Sequence, residues 1–422
     1  MENIVVVGGG WAGCSAALVA ARRGIPVLLL ERTDRLLASG LVGGIMRNNG
    51  RFTAAEELKL MGAGELIELV DALSRHQDLN FPGHRHASLY DVERVEQAVY
   101  ELLREAGVEI RFQKRVVGVE RKGRRISAVR AGEESFAGSA FVDATGTAGP
   151  MSSCRRNGNG CVMCVYRCPT FGPRASVAVE AGIPENTVFR SDGNPGYFSG
   201  SCELDPGSLE PRLLEEIRCQ GVKIIPLPRE WRRELDVKMK ACRQYLFPEY
   251  QENLILLDTG MIKAMVPYFP LEKLRQIRGL ERAVFRDPLA GGVGNSIRCG
   301  SLVCREDTLQ VPPLENLFVA GERAGLLIGH TEAIATGALA GYNAWLWCRG
   351  RPPVALPCST LLGTMVNFTG RMARSAAGRQ ELYNLAGGTL WEHLQQLKLY
   401  TTDRDLIRWR LSEAGVLGLF AR

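Results

Sequence analysis

Ile4-Val5-Val6-Val7-Gly8-Gly9-Gly10-Trp11-Ala12-Gly13 opens the chain, followed by a helix-compatible run from Cys14 to Arg23 and a second apolar stretch, Pro26 to Leu30, that ends at Glu31. The four apolar residues read as a short buried strand and the glycines as a tight turn. Strand, glycine turn, helix, strand and acid follow in the order of a Rossmann dinucleotide fingerprint. Gly8 allows the turn, Gly10 lets the backbone approach a pyrophosphate, and Gly13 lets the helix pack on the strand. The free N–H groups at the helix start meet the phosphates' charge, and Glu31 is placed to accept hydrogen bonds from a ribose diol. A glycine-rich turn in another α/β protein would have no reason to carry Glu31 there. The expectation is an α/β fold with an adenine dinucleotide site. Trp11 has no explanation in the sequence.

Asp91 to Glu105 reads as an amphipathic helix, with Val92, Val95, Val99, Leu102 and Leu103 at helical spacing. Short strands are expected at Val108–Phe112, Val116–Glu120, Arg125–Arg130 and Ala140–Val142. The last runs into the turn Asp143-Ala144-Thr145-Gly146-Thr147-Ala148-Gly149. From about residue 151 the character changes to isolated β-like segments such as Val222–Ile225 and Leu254–Leu257. The first pattern resumes near residue 313: Leu317–Ala320 is a strand closed by Gly321-Glu322, and a small-residue helix follows from about Thr331 to Trp347. The tail from Ser359 is helical in pattern. Four segments result: 1–150, the first part of the dinucleotide domain; 151–265, an inserted β-rich substrate domain; 266–350, the second part; and 351–422, a helical C-terminal cap. A single fingerprint argues against a second nicotinamide domain.

A chain of 422 residues holds two or three domains, and 45% hydrophobic with 23% charged residues argues against disorder. The net charge of +6 permits an anionic substrate or nucleic acid without requiring either. The first strand begins at Ile4, leaving no room for a signal peptide. No apolar run approaches the roughly 18 residues of a membrane helix, so no membrane association and a cytoplasmic location are expected. Oligomeric state is open, a homodimer included.

Twelve cysteines in such a chain argue against a disulfide framework. Eight are scattered, but Cys154, Cys161, Cys164 and Cys168-Pro169 fall close together amid Arg155, Arg156, Arg167 and Arg174. Three readings stay open. The first is metal binding by all four thiolates, as a [4Fe-4S] cluster; Cys-x2-Cys-x3-Cys-Pro is like the end of a ferredoxin run but lacks one of its x2 steps. On a helix the last three cysteines would share a face, whereas on a strand Cys161 would point away from the others. Val162–Tyr166 has the composition of a strand. The second is a redox-active or nucleophilic thiol at Cys154, Cys164 or Cys168, held as thiolate by the arginines. The third is buried structural thiols.

Leu317-Phe318-Val319-Ala320-Gly321-Glu322-Arg323-Ala324-Gly325, then Gly329-His330-Thr331-Glu332-Ala333, Gly337 and Ala340-Gly341-Tyr342-Asn343-Ala344 resemble one group of flavin enzymes. These are the folate- and FAD-dependent tRNA uracil-5-methyltransferase and the glucose-inhibited division protein A. The group's pattern has Gly-Gln after the strand, then Gly-Tyr-x-Glu and Ala-Gly-x-Asn-Ala. Ile277–Phe285 and Pro357–Gly363 resemble further stretches of the methyltransferase. The resemblance implies FAD in a glutathione-reductase-like Rossmann domain that is split in sequence. Gly8, Gly10, Gly13 and Glu31, with Arg32 and Val117, would then hold the adenosine and pyrophosphate. Thr145 and Gly146 would line the ribityl region, and Gly321 and Glu322 would hold the flavin's phosphate and ribityl end. The helix starting at His330, Thr331 and Glu332 would face the isoalloxazine, where its dipole stabilises the reduced ring's negative charge. The methyltransferases carry a cysteine, used with the substrate uracil, in a Leu-Val-Cys-Ser-Asn stretch. Here that stretch reads Leu41-Val42-Gly43-Gly44-Ile45, and glycine is no nucleophile. Their large tRNA-contacting insertion is shortened. Cys154 precedes Phe171-Gly172-Pro173 by about the interval at which they place a second cysteine.

The leading expectation is an FAD-dependent oxidoreductase that passes hydride through flavin N5 to a small-molecule substrate or redox partner. The cysteines would serve as relay and NAD(P)H as a transient reductant. The alternatives are methylene or methyl transfer from methylenetetrahydrofolate to a uridine of tRNA or rRNA, and a non-catalytic flavin-binding electron carrier. His330 is a catalytic candidate at the helix start. His84-Arg85-His86 beside Pro82-Gly83 reads as a solvated loop, with a substrate-facing pair as the other option. Arg298 with Asn295, after the Gly291–Gly294 loop, is a candidate anion site or a surface turn.

Overall fold

The computed structural model of the protein describes residues 2–37, 40–41, 43–146, 172, 174–194, 196–198, 201–232, 245, 247–266, 269–286, 297–298 and 300–421. The opening apolar run forms β1 (Ile4–Val7), followed by α1 (Trp11–Arg22) and β2 (Val27–Leu30). β1 lies inside a five-stranded sheet, flanked by β2 and by the strand Ala140–Asp143. Glu109–Arg111 and Leu317–Val319 close its two edges, and every pairing is parallel. Such strands are covered on both faces, which is why β1 is uniformly apolar and buried. Residues from both ends of the sequence thereby share one α/β layer.

The long helix His330–Cys348 packs along α1, and its small residues explain how closely. A Cβ on Gly337 would lie 2.2 Å from the Ala12 carbonyl oxygen, and one on Gly341 would lie 2.3 Å from that of Ala16. The two backbones touch, so the start of the long helix is held against the start of α1. Asn343 pins the far part: its amide donates to the carbonyls of Thr308 and Val354 and accepts from the Val354 N–H.

A second layer begins with β3 (Ile45–Met46) and α2 (Gly50–Met61), then a hairpin of β4 (Ser74–Phe81) and β5 (His84–Tyr90). Pro82-Gly83 is the hairpin's turn, with Gly83 at φ 73°. The three strands pair antiparallel in the order β3-β5-β4. Beyond them, Cys202–Leu204, Met261–Ala264, Asn253–Thr259 and Val222–Pro226 form a four-stranded antiparallel sheet. A small core of Ile45, Phe81, Leu89, Ile255 and Leu257 joins the two sheets.

Two expectations are corrected. The helix expected from Asp91 starts at Val95, because the Asp91 carboxylate accepts the N–H groups of Glu93 and Arg94 and turns the chain first. His84–His86 is strand, not loop. The tail holds the helices Leu361–Ala373, Thr389–Gln396 and Arg404–Glu413. The first of these is capped by the buried Glu57 carboxylate, which accepts from the N–H groups of Leu361 and Leu362 at 2.8 and 2.9 Å. No helix of the described residues is long and apolar enough to cross a membrane.

Candidate functional site

The three glycines of the fingerprint meet different surroundings. Gly8 has φ 104°, and a Cβ there would lie 2.5 Å from the carbonyl oxygen of Ala144. A Cβ on Gly13 would lie 1.8 Å from the Gly8 carbonyl oxygen. Both are glycines because backbone crosses backbone. A Cβ on Gly10 would meet nothing within 4 Å, at the N-cap of α1. That open space beside the free N–H groups of a helix start is where an anion sits.

From the turn, a narrow cleft runs past Gly8, Glu31, Arg32, Val116, Thr145 and Arg174. The Glu31 carboxylate accepts from the Gly9 N–H at 2.7 Å and the Thr33 N–H at 2.8 Å. Each of its oxygens keeps a second lone pair for a ribose hydroxyl. Arg32 donates to the Gly172 carbonyl. Val116 lines the cleft, whereas its neighbour Val117 has an exposed side chain and donates its N–H to the Arg130 carbonyl.

The wall near Thr145 is an ionic network. Asp143 is fully buried and accepts from the Thr145 hydroxyl at 2.7 Å, and Arg174 donates to that hydroxyl at 3.1 Å. Arg323, also fully buried, reaches Glu185 at 2.7 Å and Asp143 at 3.6 Å. Burial works to raise the Glu185 carboxyl, but Arg323 and Arg174 override it and hold it down at about 2. Burial also pulls the Arg174 guanidinium down to about 10. Gly146, at φ 69°, again has open space where a Cβ would point.

Gly321 approaches α1 so closely that a Cβ would lie 2.9 Å from that of Ala12. Its N–H donates to the Thr336 hydroxyl at 2.9 Å. Glu322 lines a second narrow cleft with Val188, Ser301, Leu327 and Leu382. At the long helix's first turn, the Thr331 hydroxyl is buried without a hydrogen-bond partner among the described residues. Glu332 is 0% exposed, and its carboxylate is gripped by Arg51 at 3.0 Å and by the Leu385 N–H at 2.8 Å.

Arg51 continues to the Asn48 side-chain Oδ1 at 3.1 Å, and the Asn48 side-chain amide nitrogen donates to His84 Nδ1 at 2.9 Å. His84 is buried and stacked on Phe81. Burial, aided by Arg51, pulls its imidazole down to about 3. The folded-state value lies below the unfolded one, so the unfolded chain binds the extra proton first as pH falls. Stability is therefore expected to drop between pH 6.5 and about 3, at a slope approaching about 1.4 kcal/mol per pH unit inside that window. In urea unfolding at pH 7.5 and 5.0, His84→Phe should lose less stability between the two conditions than the natural protein. Equal losses would show that another group carries the acid sensitivity.

His330 begins the long helix, half-buried, with Nδ1 3.1 Å from the Tyr90 hydroxyl. Tyr90 donates to the Gly40 carbonyl at 2.9 Å. Trp11 meets Tyr90 edge-on at 6.2 Å and lies 6.0 Å from the His330 ring, which explains the tryptophan in the fingerprint.

The fold thus brings Gly321 and the long helix against α1, beside the glycine turn at Gly8–Gly10. Cys154, Cys161, Cys164, Cys168 and Asn295 lie outside the described residues, and Arg298 sits on a two-residue strand paired with Tyr197. Among the described residues no three His, Cys, Asp or Glu side chains cluster as metal ligands. Cys14, Cys202 and Cys348 are buried thiols; Cys219, Cys304 and Cys358 are exposed. Tyr90 and Arg51 were not singled out from sequence, and nothing local marks either.

Residues 3–152 match the family described as FAD dependent oxidoreductase, and residues 246–352 match glucose inhibited division protein A. The methylenetetrahydrofolate–tRNA-(uracil-5-)-methyltransferase of Gloeobacter violaceus is 26% identical over 408 residues, covering 87% of this chain and 86% of that one. The same-named protein of Prochlorococcus marinus is 38% identical over 94 residues, a match spanning 22% of this chain and only 19% of that protein. The tRNA uridine 5-carboxymethylaminomethyl modification enzyme of Chlorobium chlorochromatii is 24% identical over 433 residues, covering 87% and 66%. Among solved structures, Aquifex aeolicus GidA superimposes with a TM-score of 0.70 at 19% identity, over 100% of this chain and 74% of that one. By sequence and by fold, the chain resembles the group of the folate- and FAD-dependent tRNA uracil-5-methyltransferase and the glucose-inhibited division protein A.

Proposed function

We propose that the chain is an FAD-dependent enzyme that modifies a uridine of tRNA or rRNA, with methylenetetrahydrofolate as one-carbon donor and NAD(P)H as transient reductant. The observation that carries this reading is the match along most of the chain to a methyltransferase of that name, joined to the shared fold. The residues present fit FAD. Gly10 and Gly146 leave open space, the Glu31 carboxylate lines a cleft beside the glycine turn, and the buried Thr331 hydroxyl is without a partner among the described residues.

In this reading residues 1–150 and 266–350 form a split FAD domain, 151–265 a substrate insert and 351–422 a cap. Gly8, Gly10, Gly13 and the start of α1 would hold the pyrophosphate, and Glu31 and Arg32 the adenosine end, with Val116 rather than the expected Val117 lining the cleft there. Thr145, Gly146, Gly321, Glu322 and the helix start at Thr331–Glu332 would hold the ribityl and flavin end. Bound FAD supplies hydride exchange at its N5. Cys154 is the thiol placed in sequence to meet the base, with Cys164 and Cys168 as further redox candidates.

One observation favours a second reading, oxidation or reduction of a small molecule: residue 43 is glycine and offers no thiol. The two readings separate by RNA. FAD-loaded protein is expected to retain bulk tRNA or rRNA with salt-sensitive affinity, and to transfer label from methylenetetrahydrofolate to uridine. Protein that binds no RNA, transfers no label and turns its flavin over on a small reductant would leave only the oxidoreductase.

A further inference from the structure

An open cleft of about 350 Å³ lies where the layer of the β4–β5 hairpin meets the four-stranded sheet. Its walls come from distant stretches of chain. Arg75 and His76 belong to β4, Asp91 and Arg94 precede the helix Val95–Glu105, Arg218 lies on the helix Pro211–Gln220, and Asp258 on the strand Asn253–Thr259. The two carboxylates are buried, and the wall itself engages them. Asp258 accepts from Arg75 Nε at 2.9 Å, from His76 Nε2 at 3.0 Å and from the Gly260 N–H at 3.2 Å. Asp91 accepts from Arg75 at 3.3 Å and from the N–H groups of Glu93 and Arg94.

Arg75 is thus spent on the acids beneath it, and Arg94 and Arg218 are not. Both are exposed, and neither guanidinium has a hydrogen bond or ion pair among the described residues. With His76 neutral, the lining carries three cations against two anions. The surplus charge sits on two arginines that reach one cleft from different layers. A guanidinium presents a planar fork of donors that matches phosphate oxygens. Two forks around one centre suit a tetrahedral anion, which has more oxygens to share than a carboxylate. The floor of the cleft also backs onto the candidate site. A Cβ on Gly44 would lie 2.4 Å from Thr259, the neighbour of Asp258, and one on Gly43 would lie 1.7 Å from His330 Cε1. Tyr90, the neighbour of Asp91, donates to the Gly40 carbonyl.

We propose that this cleft is a phosphate-binding site, in which Arg94 and Arg218 take the oxygens of one phosphate group while Arg75, held by Asp258 and Asp91, supplies a fixed third cation. The site does not depend on flavin being bound at the glycine turn. Two sources offer its ligand chemistry, an RNA backbone and a small phosphorylated molecule, and binding measurements separate them.

FAD-loaded protein is titrated at low salt with inorganic phosphate and with uridine 5′-monophosphate, read by ³¹P NMR line width. Bulk tRNA is titrated by filter retention over a range of salt. Arg94→Gln and Arg218→Gln are compared with Arg408→Gln, which removes an exposed arginine from the tail helix Arg404–Glu413. All three variants should melt like the natural protein, since surface substitutions of this kind change stability little. A small-molecule source is expected to show as phosphate and mononucleotide binding weakened about tenfold or more in both cleft variants, with tRNA affinity unchanged. An RNA source is expected to show as about tenfold weaker tRNA binding, with the salt slope reduced by about 1 for each arginine removed. In either case Arg408→Gln binds like the natural protein. Cleft variants that keep all three affinities within about twofold, or an equal loss in Arg408→Gln, overturn the proposal. So does a natural protein that takes up none of the three probes. Binding of phosphate without any binding of tRNA would count against the uridine reading, while the variants still decide the cleft.

Discussion

Gly10→Asp is expected to fold normally and to purify without flavin, while Gly13→Ala, three residues on in the same motif, loses stability itself. Gly10 has φ −72° and ψ −180°, extended backbone that any residue adopts, and it stands at the N-cap of α1 with open space above it. Aspartate is among the preferred N-cap residues, so the variant should keep its melting temperature or gain slightly. Its carboxylate would sit on the helix N–H groups that the pyrophosphate needs. Like charges brought together in a binding site cost several kcal/mol, so FAD affinity should fall by about 100-fold or more. At Gly13 the added methyl meets the Gly8 carbonyl oxygen at 1.8 Å, backbone against backbone. Overpacking of that kind costs about 1–3 kcal/mol and sometimes more. The flavin-to-protein absorbance ratio, circular dichroism and thermal melting separate the two effects. A yellow Gly10→Asp protein with natural FAD affinity would mean that the pyrophosphate does not sit on this turn.

The contrast shows which features a sequence can display. The fingerprint was legible because its parts are local: β1, α1, β2 and Glu31 are joined by short steps, and each residue type answers to backbone geometry within one unit. The closing strand at Leu317 and the long helix were legible for the same reason. The hairpin of β4 and β5 was not. Its pairing slips register three times between Ser74 and Phe81, so the alternation that marks a half-buried strand is broken, and His84-Arg85-His86 looks solvated although His84 and Ala87 are buried. Trp11 and Gly43 were visible as oddities without a cause. Their cause is the His330 ring, delivered from the other end of the chain, and no local pattern encodes that meeting. Glu332 could be placed at the helix start from sequence, but its grip on Arg51 could not, since Arg51 reads as one more basic residue on a helix.

That grip carries a large expected stability effect. The Arg51 side chain is 8% exposed and that of Glu332 is 0% exposed, 3.0 Å apart. Arg51→Met removes the cation and leaves a buried carboxylate held by one N–H from Leu385. Breaking a buried pair from one side costs about 3–5 kcal/mol, whereas replacing both partners by apolar residues of similar volume is often near neutral. Arg51→Met/Glu332→Leu should therefore be more stable than either single variant, a coupling that a double-mutant cycle reads directly. The loss should extend to the cofactor. Glu332 shares the first turn of the long helix with His330 and Thr331, and Gly329 before it, at φ 146°, is so close that a Cβ would meet the Glu332 carboxylate at 2.0 Å. A carboxylate seeking water would pull that turn off the start of α1, so Arg51→Met should bind FAD more weakly than the double variant does. Stability within about 1 kcal/mol of the natural protein, smaller than the typical effect of a buried-pair break, would show that the pair does not anchor this end of the site.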